Sequence, residues 1–155
     1  MKKFLRLVLC ITLPLFIGGV SGIATADAIP GWYQTLNKPF FNPPNWLFGP
    51  VWTTLYILMG VSLFQISSLP KSELRTKAIQ IFILQLTLNF FWSFLFFYFH
   101  QPEIALLEII GLWVCIAVMI HLFKKLKPVA GYLNIPYLLW VSFASILNGA
   151  YAWLN

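Results

Sequence analysis

Gln85, Asn89 and Ser93 recur every four residues within an apolar stretch, with Trp92 and Phe96 beside them. Residues four apart share one face of a helix, so this spacing makes a stripe of amide, hydroxyl and aromatic ring. Tyr137, Trp140, Ala144, Leu147, Asn148 and Tyr151 form a second stripe at three- and four-residue spacing, and Trp52, Tyr56, Met59 and Leu63 a third. The chemistry open to such groups is non-covalent: indole and phenol rings stack on a flat molecule, and a few amides and hydroxyls fix its orientation. Three such faces around a small residue like Ala144 predict either a flat, largely apolar pocket or tight aromatic packing without a cavity. Taken singly, Gln85 and Asn89 also suit plain helix–helix hydrogen bonding.

Machinery for covalent or acid–base catalysis is missing from the sequence. It contains no paired carboxylates, no Ser-His-Asp set, no Gly-rich phosphate loop and no metal-type cluster, and His100 and His121 fall near opposite ends of the apolar stretches. Cys10 and Cys115 have no metal-ligand spacing and no disulfide framework, so both are expected to be small packing residues. Broken helices with ionisable groups at their middle, the usual sign of an ion-coupled transporter, are not visible either.

The elements that carry these stripes follow from composition. Of 155 residues, 60% are hydrophobic and 9% charged, against roughly a quarter charged in a soluble domain. Long continuous apolar runs suit helices crossing a hydrocarbon core, where every backbone group must find its partner within the chain. Five spans are predicted in a single domain, Leu5 to Ala26, Asn45 to Ser67, Ala78 to Phe99, Glu103 to Phe123 and Val129 to Trp153. Glu108 alone lies well inside a span, and from about one turn beyond Glu103 it is expected to reach the interface.

The net charge of +6 is explained by position rather than by a nucleic-acid partner. Lys2, Lys3 and Arg6 precede the first span, Lys71, Arg75 and Lys77 separate the second and third, and Lys124, Lys125 and Lys127 separate the fourth and fifth. Five spans put these nine on one side and Lys38 alone on the other, so the positive-inside rule predicts a cytoplasmic N-terminus with the first loop and C-terminus opposite. Lys2, Lys3, the apolar run and Ala24-Thr25-Ala26-Asp27-Ala28 also fit a cleaved signal peptide, which would leave four spans in the same orientation.

Residues 27 to 44 form the one long connection, with Ile29-Pro30-Gly31-Trp32-Tyr33 and Lys38-Pro39-Phe40-Phe41-Asn42-Pro43-Pro44. Its prolines restrict the backbone and its rings offer apolar area, so it is either a lid packed on the bundle mouth or an aromatic interface belt. Pro50 is expected to restart or bend the second span, and Pro136 to kink the fifth. Gly18 and Gly22 form a small-xxx-small pair suited to close helix packing within the bundle.

The ordered stretch Trp32-Tyr33-Gln34-Thr35-Leu36-Asn37-Lys38-Pro39, followed by Asn42-Pro43-Pro44-Asn45-Trp46-Leu47-Phe48-Gly49-Pro50-Val51-Trp52-Thr53-Thr54-Leu55-Tyr56, resembles the tryptophan-rich sensory protein family, also called the translocator protein or peripheral-type benzodiazepine receptor family. The resemblance extends to Gly18-Gly19, to Gln85 through Ser93 and to Pro136 through Ala144. It implies an all-α membrane protein, a five-transmembrane-helix bundle whose long aromatic first loop caps a ligand pocket. The implied ligands are tetrapyrroles such as protoporphyrin IX or heme, and synthetic benzodiazepine-site ligands, with transport or regulation of the ligand as the role and no required cofactor. By motif position, the implied ligand-binding residues are Tyr33, Pro43, Trp52, Tyr56, Asn89, Trp92, Ser93, Phe96, Trp140, Ala144 and Leu147. The resemblance also implies homodimers, and light-dependent porphyrin degradation proposed for some members would place Trp52 and Trp140 in the photochemistry. The animal cholesterol pattern is incomplete, since Leu147 and Tyr151 are followed by Ala152-Trp153-Leu154-Asn155 with no basic residue.

Overall fold

The computed structural model describes residues 2–155. Helix α1 spans Lys2–Thr25 and ends in a 3-10 turn at Ala26–Ala28; α2 is the short Trp32–Thr35 within the first loop. A second 3-10 turn at Asn45–Leu47 leads into α3, Phe48–Ser67. Helix α4 spans Glu73–Ser93 and widens into a π-helical turn at Phe94–Tyr98. The chain closes with α5, Pro102–Leu126, α6, Pro128–Tyr132, and α7, Ile135–Leu154. Five of these segments are long and apolar enough to cross a membrane, at Lys2–Ala28, Asn45–Ser67, Glu73–Tyr98, Pro102–Leu126 and Pro128–Leu154.

The predicted spans therefore stand, with instructive shifts at their ends. Helix α4 starts a turn before Ala78 because Ser72 caps it, its hydroxyl accepting from the Arg75 N–H at 3.2 Å. Pro50 restarts rather than bends the second span: it sits in the first turn of α3, where a missing N–H costs nothing. Pro136 does not kink a continuous fifth helix. The chain breaks at Leu133 and Asn134, and Pro136 opens α7. Asn134 fills the break, its Nδ2 donating to the Ala130 carbonyl at 2.9 Å and to Ser62 Oγ at 2.9 Å.

The ring of helices runs α1, α3, α6–α7, α5, α4 and back to α1. A core of Met59, Ile66, Phe82, Ile116, Met119 and Phe123 fills the half of the bundle nearer the basic connections. The close packing expected at Gly18 and Gly22 holds at Gly18, against Tyr56 of α3, and not at Gly22, while the backbone-to-backbone seam lies at Gly60. A methyl group on Gly18 would strike the Tyr56 ring, and one on Gly22 would meet open space, whereas one on Gly60 would strike the α1 backbone at Ile11 and lie 2.8 Å from the Cys10 carbonyl oxygen. Pro14 lies inside α1 and has no N–H to give that carbonyl, so α3 approaches α1 where its backbone bonding is interrupted.

Glu108 also departs from expectation. It lies six residues into α5, about 9 Å along the axis. Both carboxyl oxygens are buried and receive no hydrogen bond from any described residue. The carboxyl group is covered by protein instead of reaching outward, while the residue as a whole is half-buried.

Candidate functional site

Opposite the basic end, α1, α3, α4 and α7 diverge around a cavity of about 370 Å³, within the size range of small-molecule sites. Its walls are mainly rings: Trp52 and Phe48 from α3, Trp92 and Phe96 from α4 and its π turn, and Trp140 and Phe143 from α7. Trp52 stacks on Tyr56 with centroids 5.5 Å apart, Trp92 stacks on Phe96 at 5.6 Å, and Trp140 tilts against Phe143 at 5.6 Å. Gly18, Gly19 and Gly22 line the facing wall, so α1 contributes a smooth, nearly flat surface. None of the described lining residues is charged, and none is His, Cys or Met.

Buried hydrogen bonds hold these rings in place. Tyr56 donates to Asn89 Oδ1 at 2.7 Å, Asn89 Nδ2 donates to Tyr137 Oη at 3.2 Å, and Tyr137 donates to Gln85 Oε1 at 2.9 Å. The chain ties α3, α4 and α7 together directly behind the cavity floor, with Gln85 and Asn89 almost fully buried. Each polar group finds a partner, which removes the cost of placing it in a low-dielectric interior. Nearer the mouth, Trp92 Nε1 donates to Asn148 Oδ1 at 3.0 Å, and Asn148 Nδ2 donates to the Pro102 carbonyl at 2.7 Å.

The first loop closes the cavity as a lid. Tyr33 is only 3% exposed and packs on Phe96, Phe97 and Tyr151. The Tyr33 and Tyr151 hydroxyls and Asn42 Oδ1 form a triangle with sides of 2.7 to 2.9 Å, in which two hydroxyl hydrogens serve three close contacts. Burial pushes the Tyr33 phenol above the ordinary tyrosine range, while its hydrogen bonds with Tyr151 and Asn42 pull it partly back. Trp32 stacks on His100 at 4.3 Å, clamping the loop to the turn between α4 and α5, where His100 adopts a positive φ of 56°. Asn37 and Asn155 bond reciprocally, so the loop is also fastened to the end of α7. Phe40, which is 100% exposed, and Trp46 are not packed into the lid.

Of the eleven residues predicted for the site, Tyr33, Trp52, Tyr56, Trp92, Ser93, Phe96, Trp140, Ala144 and Leu147 line the cavity together. Two do not. Asn89 stands behind Tyr56 and orients it, and Pro43 lies in the loop, its carbonyl accepting from Asn42 Nδ2 at 3.2 Å. The α1 wall, Phe48, Phe97 and Phe143 were not among them. Glycines on α1 look like packing residues in a linear sequence, and Phe97 reaches the wall through the π turn, whose extra residue places it beside Phe96.

A sequence model of the TspO/MBR family matches residues 10–154. The chain is 40% identical to the Tryptophan-rich protein TspO of Chlorobaculum tepidum, covering 99% of this chain and 98% of that protein. It is 42% identical to the protein of the same name from Archaeoglobus fulgidus, over 99% of each. The Translocator protein of Homo sapiens is 34% identical over 76% of this chain and 70% of its own.

Proposed function

The chain belongs to the TspO/MBR family, and from that premise we propose that it is a membrane receptor for a flat aromatic ligand, a tetrapyrrole or a benzodiazepine-site compound, held between α1 and the aromatic faces of α3, α4 and α7. One observation carries this reading: indoles from three helices and a glycine wall enclose a neutral cavity under an aromatic lid. Stacking on several rings supplies affinity without charge, and the Ser93 hydroxyl, which makes no hydrogen bond to a described residue, offers one from the wall. Of the side chains that hold haem iron, only tyrosine lines the cavity among the described residues, at Tyr33, Tyr56 and Tyr151, and all three phenols are engaged in hydrogen bonds with protein groups, which favours metal-free protoporphyrin over heme bound through an axial ligand. Its acid groups would point to the mouth, where Lys38 Nζ lies 5.0 Å over the Tyr33 ring.

The test is a dark titration of the reconstituted protein with protoporphyrin IX. Saturable quenching of tryptophan fluorescence is expected, and Ala144→Phe should weaken it at least roughly tenfold by filling the cavity while thermal melting stays close to wild type. Unchanged affinity in that variant would overturn the site. A second reading, light-dependent consumption of the pigment, is favoured by the placement of Trp52 and Trp140 on the cavity wall, with Trp52 stacked on Tyr56. Illumination of the same complex distinguishes it: a defined product lost in Trp52→Phe or Trp140→Phe supports turnover, and unchanged pigment supports binding alone. The nine-to-one division of basic residues further supports placing the lid outside the cytoplasm.

A further inference from the structure

A second concavity opens at the other end of the molecule, on the outside of the bundle between α1, α3 and α4. It encloses about 350 Å³. Leu9 and Leu13 from α1 and Leu63 from α3 form its apolar length, while Arg6, Ser67 and Arg75 gather at its basic end. Leu9 and Leu13 are exposed on the surface that faces the bilayer, and Leu63 forms the floor. The groove therefore runs from the basic rim toward the membrane interior, over about 10 Å of α1 between Arg6 and Leu13.

Neither arginine is paired with an acidic group of the described residues. Arg75 Nη2 donates to the Ser67 carbonyl at 2.8 Å, which aims the guanidinium across the groove, while its Nε is buried with no acceptor among the described residues. Arg6 is exposed and makes no hydrogen bond to any described residue. Glu73, the nearby acidic residue of α4, is paired with Lys77 at 2.7 Å and leaves both arginines uncompensated. Two guanidiniums above an apolar trough match one kind of molecule, with a phosphate for the forks and an acyl chain for the leucines.

We propose that this groove is a binding site for an anionic phospholipid, its phosphodiester between Arg6 and Arg75 and one acyl chain along Leu9, Leu13 and Leu63. The site is separate from the lidded cavity and independent of what that cavity binds. The lipid would brace α1 against α3 and α4 at the end where Gly60 already brings two of these helices into contact.

Native mass spectrometry of the full chain, released from bilayers of equal dioleoylphosphatidylglycerol and dioleoylphosphatidylcholine, tests the proposal. Wild type should retain phosphatidylglycerol with a preference of roughly tenfold, the worth of one charge-assisted contact. Arg6→Gln with Arg75→Gln should erase the preference, and Leu9→Trp, which crowds the trough and keeps every charge, should reduce retention of both lipids. Lys2→Gln with Lys3→Gln removes two charges from the same end outside the groove and should leave retention unchanged. Should loss of the Ser67 bond unfold the double arginine variant, Arg6→Gln alone carries the test, with a several-fold reduction expected. Equal retention of the two lipids by wild type would overturn the site, as would a lysine variant that loses as much as the arginine variant. Displacement of the lipid by millimolar inorganic phosphate would also overturn it, by showing that the headgroup alone is bound.

Discussion

Asn89 illustrates how a residue shapes a cavity without lining it. Its amide accepts from Tyr56 and donates to Tyr137, so two phenols on different helices take their orientation from one side chain. Asn89→Leu leaves the Tyr56 hydroxyl without its acceptor in an apolar interior and Tyr137 with Gln85 alone, and the expected loss of stability is about 1–3 kcal/mol. Ser142→Ala is the comparison, because it removes a single interhelical bond from Trp113 Nε1, 2.8 Å long and at the outer surface. That bond should be worth only about 0.6 kcal/mol, the average for polar contacts between membrane helices. Thermal melting of both variants in the same detergent checks the order, and equal losses would deny the buried chain its special weight. At this scale the sequence was informative wherever chemistry recurred at helical spacing: the stripes on α3, α4 and α7 converge as their spacing implied. It was silent on whether a polar residue faces the cavity or stands one layer behind, because Asn89 and Ser93 share a stripe and differ only in depth.

Among the elements, α1 and the first loop gained most definition. Gly60→Ala places a methyl group against the α1 backbone, which cannot turn aside as a side chain can. A destabilisation of about 1–3 kcal/mol is expected, whereas Gly22→Ala, pointing into open space, should leave melting unchanged and narrow the cavity. Denaturation of the two variants side by side tests the assignment of the seam. The loop makes its own prediction through Tyr33. Its phenol is raised above the ordinary value of about 10, so the closed lid favours the protonated form. The lid's stabilisation is thus fully present below about pH 10 and lost as pH rises through the higher closed-state value. Protoporphyrin dissociation measured by stopped flow should be flat from neutral pH to about 10 and accelerate above it, and Tyr33→Phe should reduce that rise. The sequence marked the loop as unusual by length and composition. Only its contacts with His100, Phe97, Tyr151 and Asn155 distinguish a lid from a belt.

For the whole molecule, the two ends differ in chemistry: an aromatic mouth with Lys38 as its one lysine or arginine among the described residues, and a basic rim at the other end. Phe40 is fully exposed on the lid, so Phe40→Cys, in a chain with Cys10→Ala and Cys115→Ala, is expected to react with a membrane-impermeant maleimide added outside intact cells. Labelling only after lysis would reverse the orientation. Hydrophobic length and charge placement determined the five crossings, their alternation and the shared basic end, because bilayer thickness and backbone hydrogen bonding act on each segment separately. The tertiary structure decided what no single segment contains: that three aromatic stripes leave a cavity instead of filling it, that glycines on α1 form its flat wall, that Asn134 bridges a break in the last crossing, and that the Glu108 carboxyl is buried. These depend on the distances between helices, which are set by backbone contacts such as Gly60 on Ile11 and by ring volumes meeting across the bundle. A linear pattern shows which faces turn inward, and only packing shows how far apart they stand.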